Sequence, residues 1–219
     1  MFRSLTVRLP VLLTAAATVV AFAASPAHAT LQIQLQSGAQ TYTQSGPSPL
    51  VVIQSIGNFI LTGNIGTSTT APSLDLASVD ITSEAGGGTL VIILSADGFT
   101  FPYGLANWLT QFSGNFSNAA ATVTLETYLD NTNTLMGTGT HLSTLTASTT
   151  PFSLSDALDV TTTTPYSITE VLTITTTASA HLSLDASVSD APIPEPASLT
   201  LLGSAMIALG TLARRKRKV

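Results

Sequence analysis

The stretch Leu31-Gln32-Ile33-Gln34-Leu35-Gln36 alternates apolar and polar residues without a break. Successive side chains point to opposite faces only in an extended chain, so this period of two marks a strand with one buried face and one wet face. The same period runs through most of the chain. Leu50 to Gln54, Asn58 to Leu61 and Leu74 to Ile81 repeat it, the last with Leu, Val and Ile set against Asp and Ser. Glu84-Ala85-Gly86-Gly87-Gly88 reads as a hairpin connection leading into the apolar Thr89 to Leu94, a central strand. Ala121 to Leu129 and Leu142 to Ala147 read as a pair around the turn-rich Asp130 to Gly139. Ser167 to Ala178 and Ala180 to Val188 read as a closing hairpin. Phe101 to Phe116, which holds Trp108, fits less well and reads as an aromatic crossover with a helical turn within Tyr103 to Phe112. Threonine and β-branched residues favour strands. About eight short strands separated by turn signals predict an all-β chain with a single β-sandwich, jelly-roll or Ig-like, over residues 30–190.

Charge is distributed unusually. All seven Lys and Arg residues lie at the two ends: Arg3, Arg8 and Arg214-Arg215-Lys216-Arg217-Lys218. Between residues 30 and 193 stand Asp75, Asp80, Glu84, Asp97, Glu126, Asp130, Asp156, Asp159, Glu170, Asp185 and Asp190, with no basic residue except His141 and His181. The central domain therefore carries about eleven negative charges and cannot form an internal Lys or Arg ion pair. With no cation to neutralise a phosphate, it is unsuited to nucleic acid or an anionic membrane surface. There is no cysteine, so disulfides, thiol catalysis and thiolate zinc sites are excluded.

The ends are targeting segments. Arg3 and Arg8 precede an apolar run from Val11 to Ala24, then the helix-breaking Ser25-Pro26 and the small-x-small site Ala27-His28-Ala29. This predicts a secretory signal peptide over residues 1–29, cut after Ala29. It assigns the chain to the Sec export machinery and signal peptidase. At the other end Pro194-Glu195-Pro196 is followed by the uncharged Ala197 to Ala213 and the five-residue basic cluster. That run is about 25 Å long as a helix, enough for one short membrane span, with its cations on the cytoplasmic side.

Order, spacing and position of these last features resemble the PEP-CTERM sorting signal of Gram-negative bacteria, covering residues 191–219. The resemblance implies processing by exosortase at or near Pro194, Glu195 and Pro196. Before that cut, the C-terminal helix anchors the chain in the membrane. Afterwards the product resides at the cell surface or in an extracellular polysaccharide matrix, the biofilm exopolysaccharide. The same tail is also called an ice-binding protein C-terminal domain, which names the tail and argues nothing about ice. The phrases Leu74 to Ile81, Gly88 to Ser95 and Pro165 to Ile174 resemble domains found ahead of such tails, and these bring no activity with them.

Candidate chemistry is sparse. His141 and His181 sit in alternating strands and read as strand-face residues. No serine is framed as Gly-x-Ser-x-Gly. Asp156 with Asp159, or Asp75 with Asp80 and Glu84, are the acids a glycosidase would need, without a spacing that pairs them. Ser153 to Asp159 reads as a loop offering oxygen ligands, short of the Asp-x-Asp-x-Asp-Gly pattern of a calcium loop. The threonines 122, 124, 144, 146, 173 and 175 read as ordinary strand residues. No catalytic, cofactor-binding or metal-binding residue is assigned and no cofactor is called for. The expected function is an exported, exosortase-processed surface or matrix protein with a structural or binding role and no catalysis. The alternatives are a secreted carbohydrate-active enzyme and a calcium-dependent or ice-binding adhesion module.

Overall fold

The computed structural model describes residues 30–68, 72–117 and 121–191. Every helix or strand assigned among them is a strand. In chain order these are β1 (Leu31–Ser37), β2 (Gln40–Gly46), β3 (Leu50–Ile56), β4 (Phe59–Ser68), β5 (Ser73–Ser83), β6 (Gly88–Phe99), β7 (Gly104–Ser117), β8 (Ala121–Asp130), β9 (Thr140–Ala147), β10 (Phe152–Thr162), β11 (Tyr166–Thr176) and β12 (Ala180–Ala191). They form two six-stranded sheets. The first is ordered β2-β1-β6-β11-β8-β9 and the second β10-β7-β12-β5-β4-β3.

From β5 onward the chain crosses between sheets at nearly every step. This places β6-β11-β8-β9 in one layer and β5-β12-β7-β10 in the other, the winding of a jelly roll. The hairpins β1–β2 and β3–β4 extend both layers at one lateral end. The alternation read from residues 31–36 holds: Leu31, Ile33 and Leu35 are fully buried and their glutamine neighbours face outward. The same parity buries Val123, Leu125 and Leu129 on β8, and Leu182, Leu184, Ala186 and Val188 on β12. Each large aliphatic side chain taken from water contributes about 1.5–3 kcal/mol. The resulting core is one cluster running from Leu31 to Val188.

Several sequence expectations need correction. The described residues form twelve strands rather than about eight. Residues 101–116 hold no helical turn: β7 is the longest of the described strands and an interior strand of the second sheet, with Ala106, Trp108, Thr110 and Phe112 inward. Its aromatic bulk obscured an ordinary period of two. Residues 153–159 are not a loop but the middle of edge strand β10. Neither proposed hairpin forms at 84–88 or at the end of the chain. β5 pairs with β4 and β12, β6 with β1 and β11, β11 with β6 and β8, and β12 with β5 and β7. In both places the chain steps from one sheet to the other, because a glycine-rich turn signals reversal without naming the strand's partner. The β8–β9 pair around residues 130–139 forms as expected. The signal peptide and the C-terminal span lie outside the described residues.

The crossover at 84–87 makes one strict demand. Gly87 has φ +62°, and a Cβ there would stand 2.2 Å from the Thr176 carbonyl oxygen, which is backbone and cannot move aside cheaply. Gly38 has nearly the same φ, +58°, with open space around it. Thermal melting should therefore separate the two. Gly87→Ala is expected to lose roughly 1–3 kcal/mol or more, and Gly38→Ala about 1 kcal/mol or less. Equal losses would show that the carbonyl contact is not limiting.

Candidate functional site

A polar concavity of the described surface lies on the outer face of the second sheet. Strand order β10-β7-β12-β5 sets polar residues from four separate parts of the sequence into rows. Ser155, Gln111, Ser187 and Asp75 are cross-strand partners in one row, and Ser153, Ser113 and Asp185 in the next. Their chain neighbours Phe112, Leu74 and Ala186 point into the core, so parity turns the polar set outward. Four of the seven are serines. Small side chains between larger neighbours leave a trough of about 250 Å³, lined by Gln111, Ser113, Ser153, Ser155, Asp185 and Ser187.

The electrostatics are one-sided. Asp75 is partly buried beside this row and its Oδ1 has no hydrogen-bond partner. Burial first, and the neighbouring Asp185 charge second, hold its carboxyl above the ordinary carboxylate range. Behind the trough, on the inner face of the first sheet, lies Glu170 of β11, with 1% of its surface exposed. Neither carboxyl oxygen makes a hydrogen bond. Burial pushes its pKa well up, Asp75 and Asp185 push the same way, and the Val188 backbone opposes them without completing a bond. Among the described residues no three His, Asp or Glu side chains converge closely enough to hold a metal ion. The three acids are coupled through space rather than around a point.

The other sequence candidates are dispersed. His141 lies exposed on β9 against Tyr128 and bonds Thr144 through Nε2 at 2.9 Å. His181 lies exposed on β12, in the other sheet, so the histidines are not brought together. Asp156 accepts from Ser143 Oγ at 3.0 Å, while Asp159 accepts from Asn107 Nδ2 at 2.7 Å. An odd separation along β10 puts these two acids on opposite faces. The calcium-loop reading of 153–159 therefore loses its loop and its convergence. Asp80 is exposed on β5, beyond the irregularity that separates it from Asp75, and Glu84 sits in the crossover. The threonines do align in register, Thr146 with Thr124 and Thr173, and Thr122 with Thr175 and Thr89. Their hydroxyls lie against each other, at 3.1 Å for Thr124–Thr146 and 3.4 Å for Thr89–Thr175. Val91, Val171 and Glu126 interrupt the face, which fits cross-strand stabilisation. Ala27, Ala29, Pro194, Glu195 and Pro196 lie outside the described residues.

A family model described as the PEP-CTERM protein-sorting motif matches residues 192–218. The chain thus carries a PEP-CTERM-like sorting motif near its C-terminus, consistent with exosortase substrates in general and with export to the cell surface. No curated protein matches. Among solved structures the chain is similar to TmCBM61 in complex with β-1,4-galactotriose, at 11% identity and TM-score 0.34, covering 61% of this chain and 88% of that one. It is also similar to the enzymatically active domain of tailspike protein 4 of bacteriophage CBA120, at 10% identity and TM-score 0.30, covering 59% and 19%. A third is a variant of the family 29 carbohydrate-binding module CBM29-2, at 10% identity and TM-score 0.26, covering 68% and 99%. Likeness at this level carries no argument for a ligand.

Proposed function

We propose that this chain is an exported, exosortase-processed surface or matrix protein whose sandwich binds a neutral polysaccharide, without catalysis, along the trough of the second sheet. The observation that carries the reading is the pair of in-register polar rows lining that trough. Hydroxyls that donate and accept, one carboxamide and carboxylate acceptors match a polyhydroxylated chain, which offers both donors and acceptors. Eleven acids and no Lys or Arg between residues 30 and 191 argue against a polyanionic glycan. The sorting motif supports delivery to the place where such a polymer lies.

The test is a glycan array and titration calorimetry with residues 30–191. A neutral oligosaccharide is expected to bind, and Gln111→Ala and Asp185→Asn should each weaken it about tenfold, the loss of roughly 1.4 kcal/mol. Binding confined to anionic glycans, or unaffected by both substitutions, overturns the reading. One observation favours a second reading as a carbohydrate-active enzyme: Asp75 is held protonated more strongly than usual beside Asp185, the asymmetry an acid and its partner carboxylate need. Cleavage of the bound oligosaccharide that is lost in both Asp75→Asn and Asp185→Asn would establish it.

A further inference from the structure

Between Arg8 and Asp75 the sequence contains no Asp, Glu, Lys or Arg. The fold gathers the structured part of that segment into one place. β1 and β2 close the first sheet and β3 and β4 close the second, at the same lateral end. One end of the sandwich is therefore uncharged, while all eleven acids of the domain lie from β5 onward. Two copies of so acidic a domain repel each other in every approach except the one that brings these ends together.

Of the two outermost strands at that end, β2 and β3, the second is built for pairing. β3, Leu-Val-Val-Ile-Gln-Ser-Ile, has β4 on one side and, among the described residues, no strand on the other. Its backbone edge is flanked by exposed aliphatic side chains on the outer face: Val51 is 56% and Ile53 73% exposed, and Ile60 of β4, the partner of Ser55, adds to the same face at 45%. Edge strands are ordinarily protected by charge or proline. The opposite edge of the same sheet, β10, carries Asp156 and Asp159; β3 carries neither device.

The geometry points to a second copy of this chain as the occupant of the β3 edge, through antiparallel β3–β3 pairing about a two-fold axis. Such an isologous contact joins the second sheets of two copies into one continuous sheet. Ile53 is the midpoint of β3, so the axis falls on it. Ile53 then faces Ile53 of the other copy, and Val51 faces Ser55. The exposed aliphatic row continues across the junction, and the acids of both copies stay at the far ends.

The chain has no cysteine, so a single introduced thiol reports the contact. Residues facing each other across an antiparallel pair have Cα atoms about 4.5–5.5 Å apart, within reach of a disulfide. Mild oxidation of the full chain bearing Ile53→Cys is expected to give a covalent dimer, and the full chain bearing Ser155→Cys on β10 should not. Adding Val51→Lys to the Ile53→Cys chain should abolish the product, since each copy then brings a cation into the junction. Mixing Val51→Cys and Ser55→Cys chains should give the mixed dimer in excess of either self-dimer. These positions are exposed, and unchanged far-UV circular dichroism verifies folding of each variant. Equal cross-linking at 53 and 155, none at 53, or cross-linking that survives Val51→Lys overturns the proposal. A different protein or a glycan seated on β3 would show itself as the absence of the Ile53→Cys dimer.

Discussion

Replacing Glu170 by Gln is expected to raise the melting temperature at pH 8 and to flatten its dependence on pH. Glu170 is fully enclosed between the sheets, on the inner side of β11 and in register with Leu94 and Thr127. An isolated ionised carboxylate in such surroundings is costly, so burial raises the folded-state pKa well above the ordinary 4.5. The folded chain then holds the Glu170 proton more tightly than the unfolded chain does. Stability from this group is fully present below the unfolded pKa. It is lost as pH rises from there through the folded pKa, and the loss is constant beyond. Gln has the same shape and no proton to lose, so it removes that decline. Glu170→Leu should go further, stabilising by about 1–3 kcal/mol even in acid, because it also removes unsatisfied acceptors. For a domain of this size each kcal/mol moves the melting temperature by roughly 2–4 °C. Asp75 and Asp190 are shifted in the same direction by burial, so a shallower slope of the same sign remains. Melting of residues 30–191 between pH 4 and 9 checks this, and identical profiles for the parent and Glu170→Gln would disprove it.

Glu170 also shows what a close reading of sequence can recover. Its place among the acids gives no sign that it is enclosed between the sheets. Yet Tyr166, Ile168, Leu172 and Ile174 are buried at every second position, and Glu170 shares their parity. That parity is enough to place it inside once β11 is known to have one buried face. The period of two and the β8–β9 pair were legible for the same local reason: each depends on neighbours within a strand or a turn. Partner choice was not legible. Gly86 and Gly87 announce a reversal, but a hairpin and a crossover need the same backbone freedom, and only the packing of two layers chooses between them. The trough was hidden for that reason. Gln111, Ser155 and Asp185 each look like an outward position on an ordinary strand, and they become a site only through the order β10-β7-β12-β5.

The second large effect concerns Trp108, the only tryptophan, which lies on β7, the strand whose sequence reads as a crossover. It is 1% exposed, packs edge-on against Tyr166 at 5.8 Å, and Tyr166 stacks on Phe99 at 5.6 Å. The Tyr166 hydroxyl donates to the Phe101 carbonyl. Burial first and Asp190 second hold its pKa above the ordinary tyrosine value, so it remains a donor throughout the working pH range. This cluster ties β7 of one sheet to β6 and β11 of the other, so its loss is felt by both layers. Trp108→Ala should cost about 3–5 kcal/mol, a large share of the roughly 5–15 kcal/mol that holds a typical domain folded. Trp108→Phe should cost much less than its lost volume suggests. The indole Nε1 is buried without a hydrogen-bond partner, and phenylalanine removes that unsatisfied donor while keeping an aromatic face for Tyr166. Relief of about 1–3 kcal/mol from the donor then offsets much of the cavity. Urea midpoints followed by far-UV circular dichroism give the comparison, since fluorescence disappears with the residue. A Phe variant as unstable as the Ala variant would mean that indole volume, rather than aromatic contact, sets the strength of the joint between the sheets.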